Sequence, residues 1–150
     1  MSSAGRLLAV LFAAILAFAV PPARADPLLD GIKALPGDVE DVRIAGTWDQ
    51  GSKSGAYRVL LARSGGDTVT ARMFVQWIVY GDDGSASVQN TIEIKELAAL
   101  NVDVVDYTSE SDQDGLTVYI QTLDPNGTDD KDYELHVASP TQYTFGPQSN

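Results

Sequence analysis

From Val42 to Phe145 the sequence alternates apolar and polar side chains with a period of two, and almost every interruption is turn chemistry. A period of two sends successive side chains to opposite faces of an extended chain, so each alternating run reads as a strand with one buried face. About eight runs can be marked: Val42–Trp48, Tyr57–Arg63, Thr68–Tyr80, Ser85–Leu97, Asn101–Thr108, Leu116–Leu123, Asp132–Ser139 and Thr141–Phe145. The longest carries Val69, Ala71, Met73, Val75, Trp77 and Val79 on one face with no polar member. The connectors Ser64-Gly65-Gly66-Asp67, Gly81-Asp82-Asp83-Gly84, Ser111–Gly115 and Asp124-Pro125-Asn126-Gly127 are short and rich in the residues that hairpin turns demand. Short turns between consecutive strands make antiparallel neighbours, and no long helical crossover is present to build a parallel sheet. The segment Lys95–Leu100 departs from the alternation and reads as a helical turn or a corner.

The pattern predicts an all-β fold, an antiparallel up-and-down barrel of about eight strands, because closure removes exposed sheet edges. A two-layer β-sandwich is the alternative arrangement of the same strands. A short helix precedes them. Asp26 can cap it, Pro27 suits its first turn, Pro36-Gly37 stops it, and Leu28, Leu29, Ile32 and Leu35 share one face.

Residues 1–25 read as a cleaved signal peptide. Arg6 supplies the positive charge, Leu7 to Val20 is an unbroken apolar run of 14 residues, and Ala23-Arg24-Ala25 offers a small-residue cleavage site. The run is short of the ~20 apolar residues that a spanning helix needs. Residues 26–150 then form a single β-rich domain with no membrane span after cleavage. The chain has no cysteine, so thiol chemistry and disulfides are excluded; this suits a bacterial periplasm or medium better than an animal secretion. Loss of Arg6 and Arg24 with the leader leaves 8 basic residues against 21 acidic ones, a net charge of −13. Residues 81–150 hold 14 of the acids against Lys95 and Lys131. Such a field repels nucleic acid and anionic lipid and favours cations or a basic protein partner.

Catalytic equipment is sparse. His136 is the one histidine, it alternates onto a polar strand face, and no Gly-x-Ser-x-Gly elbow accompanies it. A single histidine without cysteine does not supply a usual zinc set. Glu110-Ser111-Asp112-Gln113-Asp114-Gly115 spaces oxygens as a calcium loop does, but glutamate stands first, Gln121 replaces the closing glutamate, and no helices flank it. It reads as a solvated hairpin turn. Neither a metal nor a cofactor is therefore expected, and no catalytic residue is assigned.

Gly46-Thr47-Trp48, at the end of the first strand, resembles the Gly-x-Trp signature of calycins, the small barrels that include lipocalins and avidin-like proteins. The resemblance spans about a dozen residues, and the arginine that stacks on this tryptophan in calycins has no counterpart here; only Lys131 lies in that region. It implies a glycine that permits a tight bend, a tryptophan that closes the barrel floor, and an interior that holds a ligand or is plugged.

These readings predict an exported, non-enzymatic binding module for a small apolar or amphipathic ligand. The ligand would lie against Trp48, Met73, Val75 and Trp77, with Ile44 and Val118 opposite and Tyr57 or Tyr119 orienting it at the mouth. The alternative is an envelope interaction protein or inhibitor that acts through its acidic loops or an apolar patch at Phe74, Ile78 and Tyr80.

Overall fold

The computed structural model describes residues 26–127 and 130–149. The signal-peptide reading of residues 1–25 lies outside them. The helix predicted near the N-terminus is present as α1 (Pro27–Lys33), and the Asp26 carboxylate caps it by accepting from the backbone N–H of Leu28 at 3.0 Å and of Leu29 at 3.3 Å. No residue of α1 is buried.

Residues 35–149 form the β unit. Four strands, β1 (Val39–Gln50), β2 (Lys53–Gly65), β3 (Val69–Tyr80) and β4 (Ala86–Glu93), make one antiparallel meander. After α2 (Lys95–Leu100), β5 (Asp103–Asp112), β6 (Gly115–Leu123), β7 (Lys131–Ser139) and β8 (Gln142–Pro147) make a second. The all-β antiparallel plan is as the alternation predicts. The sheets do not close into a barrel; they are the two layers of the alternative, a sandwich.

The physical reason lies in α2. β4 is the edge strand farthest from β1, whereas β5 lies beside β1. The chain therefore crosses the end of the core between the two sheets, and α2 makes that crossing. Ile94 and Leu97 are fully buried there, Ile94 N–H donates to Met73 O at 2.9 Å, and Ala71 N–H donates to Val102 O at 2.8 Å. One end of the sandwich is thus capped by a helix.

Between the sheets the core is filled. Val59, Met73 and Val75 from the first sheet meet Leu116, Val118, Ile120, Leu135 and Val137 from the second, all at zero exposure. β1 and β5 run side by side without a hydrogen-bonded ladder. Thr47 N–H donates to Ser111 Oγ at 3.1 Å, and Arg43 Nη1 donates to Tyr107 O at 3.1 Å. Both pairs are separated by 64 residues, so the two strands run parallel. Gly46 makes this approach feasible: at φ +150° it occupies a position where an added Cβ would lie 2.2 Å from Ser111 Oγ.

Two of the register shifts overturn faces that the alternation predicts. In β1 the register shifts between Ile44 and Gly46, so Ala45 and Trp48 turn inward while Val42 and Ile44 face out. Ile44, expected on the inner face, is 60% exposed. In β4 the shift falls opposite Trp77 and Ile78, which places Val88 outside beside Ile78 and Ile92 inside beside Val75. One inserted residue inverts every face beyond it.

Candidate functional site

The other end of the sandwich lies away from α2. It lies at the C-terminal end of β3, where Trp77 stands six residues beyond Ala71, about 20 Å along the strand at ~3.3 Å per residue. Here the core is closed by aromatic rings. Tyr57 on β2 pairs directly with Trp77 on β3, and their rings meet edge to face with centroids 5.8 Å apart at 76°. Trp48 on β1 stands opposite Gly55 on β2. The missing side chain of Gly55 leaves the space the indole uses, since an added Cβ would sit 2.8 Å from Trp48 Cζ2 and 1.8 Å from Ile78 O. Trp48 Nε1 donates to Ala56 O at 3.3 Å, which fixes the ring.

These rings floor a depression of about 210 Å³ whose polar rim comes from three strand connections, at Asp49 and Gln50, at Gln113, and at Ser139 with Pro140, and from Gln89 at the register shift within β4. A second depression of about 360 Å³ adjoins it, sharing Trp48, Asp49, Tyr57 and Gln113 and adding Thr47, Ser111 and Asp112. Neither is lined by lysine or arginine. Tyr57 is 5% exposed and lines both depressions. Burial pushes its ionisation up, and the negative charge of Asp112 adds to the shift.

Of the residues that the sequence nominates, Trp48, Tyr57 and Trp77 come together here. Met73 and Val75 lie deeper, wholly buried in the packed core, and line no surface depression described. Val118 is equally buried. Tyr119 stands elsewhere, on the outer face of the second sheet. Its hydroxyl donates to Glu110 Oε1 at 2.7 Å, and it lines a separate depression of about 300 Å³ with Asp106, Thr108, Gln121, Asp132 and Gln148. Sequence reasoning missed Asp49, Gln113 and Ser139, which sit at strand ends and in a turn, and Gln89, the extra residue at the β4 register shift. Their signal is the register that places Trp48 opposite Gly55 and Tyr57 opposite Trp77, because whatever follows those pairs must rim the same end.

The calcium-like segment is the β5–β6 hairpin, in which Asp112 Oδ1 accepts from Asp114 N–H at 2.9 Å. His136 Nδ1 lies 3.1 Å from Thr117 Oγ1. Among the described residues no three histidine, aspartate or glutamate side chains converge as metal ligands. At the β1–β5 seam, Arg43 lies 4.4 Å above the Tyr107 ring and pairs with Asp106 at 3.3 Å. Asp41 Oδ2 approaches Arg43 Nε to 2.5 Å without the alignment of a hydrogen bond, and the Tyr107 hydroxyl is buried with no hydrogen-bond partner among the described residues. Burial, then the Asp41 charge, drive the Tyr107 phenol's ionisation well upward.

Fold and site together define a two-layer antiparallel β-sandwich, helix-capped at one end and aromatic-lined at the other. No protein family, curated protein or solved structure matches the chain.

Proposed function

We propose that the domain is an exported, non-enzymatic binding module that takes a small amphipathic molecule at the open end of the sandwich. The observation that supports this reading is the contrast between the two parts of the apolar interior. The space between the sheets is packed, whereas the end bounded by Trp48, Tyr57 and Trp77 keeps an unfilled, aromatic-floored depression. Apolar surface there gains about 25 cal/mol per Å² removed from water, and the rim amides and the Tyr57 hydroxyl orient what enters. Periplasmic or secreted placement belongs to the same proposal, and it rests on the sequence of residues 1–25. No helix among the described residues is long and apolar enough to cross a membrane.

Two measurements test it. Mass spectrometry of the exported protein should find Asp26 at the N-terminus; Met1 or Arg6 in the mature species overturns the export reading. Titration with apolar fluorescent probes should give saturable changes in tryptophan emission that Gln113→Trp, which fills the mouth, weakens. The absence of saturable binding would favour the second reading, an interaction protein or inhibitor. That reading draws on exposed Ile44, Val88 and Tyr80 and on the acidic surface of β5–β7, which suits a basic protein partner.

A further inference from the structure

Resting on that reading, we propose that the molecule taken at the open end is a small organic cation, an aliphatic amine or alkylammonium group. The Tyr57 and Trp77 rings stand nearly perpendicular at 76°, forming an aromatic corner, and Trp48 lines the same depression. Aromatic rings attract a cation through the negative potential of their faces, and the attraction grows where water is displaced. An aromatic wall alone would accept neutral apolar groups equally well. What separates the cases is charge.

Asp49 and Asp112 line the adjoining depressions, and among the described residues neither is in an ion pair. The arginines of the first sheet are engaged elsewhere. Arg43 holds Asp41 and Asp106, Arg63 holds Glu40, Arg72 holds Glu93, and Arg58 is hydrogen-bonded to Gln76. Lys53 pairs in register with Gln50 at the hairpin tip, but it does not line either depression. The site is therefore a negative, ring-walled recess with no internal counter-charge. Tyr57 lines both depressions, and a phenolic hydroxyl there can accept a hydrogen bond from an N–H donor or donate one to a polar substituent. The net negative charge of the whole chain adds long-range attraction for cations.

The experiment uses the protein purified after export and two probes of nearly equal shape, choline and its neutral carbon isostere 3,3-dimethyl-1-butanol. Binding is followed by tryptophan emission and by the NMR shifts of the two indole N–H groups. Choline should bind saturably, about tenfold or more tighter than the isostere, since a desolvated cation–aromatic contact reaches that size. Its affinity should fall with added salt and on Asp112→Asn, an exposed position where asparagine keeps a side-chain oxygen to accept from Asp114 N–H. Equal binding of both probes, or tighter binding of the neutral one, overturns the cation assignment and leaves the binding-module reading standing. Binding of apolar fluorescent probes without choline binding has the same meaning. Failure of every probe, with the protein shown folded by its NMR spectrum, overturns both.

Discussion

Replacing Gly55 by alanine should be among the most damaging single-atom additions to this fold. The new Cβ would lie 1.8 Å from Ile78 O and 2.8 Å from Trp48 Cζ2, where ordinary contact begins at 3.4 Å. The deficit against the carbonyl is about 1.6 Å, and the obstacle is backbone, so no rotamer change relieves it. Either β2 and β3 separate around the Gly55–Val79 pair or the chain end from Trp48 onward moves away. Separation loses one or two ladder hydrogen bonds at about 1 kcal/mol each, and displacement of a buried indole adds a repacking cost of ~1–3 kcal/mol. The expected loss is about 3 kcal/mol, or roughly 10 °C in Tm for a domain of this size. Urea denaturation followed by far-ultraviolet circular dichroism measures it. Gly65→Ala is the internal control: it is in the same strand, and nothing lies within 4 Å of its added Cβ. That variant should stay within about 0.5 kcal/mol of the parent. Equal effects at the two glycines, or a loss under about 1 kcal/mol at Gly55, would refute the register that seats Trp48 over the β2–β3 pair.

Trp48→Ala and Trp77→Ala should each cost about 3–5 kcal/mol in denaturant midpoint analysis; a cost under about 1 kcal/mol at either site contradicts its burial. Val75→Trp should destabilise by about 3 kcal/mol or prevent folding, because Val75 is fully enclosed; a stable, soluble variant would reveal interior space. The Tyr107 phenol ionises above its ordinary value in the folded protein, so its contribution is whole below pH ~10 and is lost as pH rises beyond the unfolded-state value. Between pH 9 and 11 the parent should therefore lose about 1 kcal/mol more stability than Tyr107→Phe; equal losses would show that the hydroxyl is not buried. Removal of the exposed Arg72–Glu93 pair by Glu93→Gln should change stability by less than about 1 kcal/mol.

The strands were legible because half-buried sheets impose alternation, and the uninterrupted face from Val69 to Val79 on β3 points inward as written. Faces were lost where the backbone carries information the alternation does not. Nothing in Val42-Arg43-Ile44 announces the bulge that turns Ile44 outward, and Val88 and Ile92 share a parity that the bulge in β4 breaks. The choice between barrel and sandwich was likewise hidden. It depends on whether β4 pairs across to β5, and Lys95–Leu100 resolves it by burying Leu97 as a cap rather than continuing a ladder. Three rings of the site were found because large apolar residues on strands must go somewhere dry. Its rim was not, because polar residues such as Gln89 at a register shift and Gln113 in a turn acquire a role only through what stands beside them in space.

Every ladder here joins strands that are neighbours in the sequence. Each sheet can consequently assemble hairpin by hairpin, with short loops to close and little entropy lost at each step. The demanding event comes afterwards, when residues 64 positions apart along β1 and β5 must find one another and two apolar faces must meet. The docking of the two layers is then expected to limit the folding rate, and α2, the tether that sets their local concentration, to influence it.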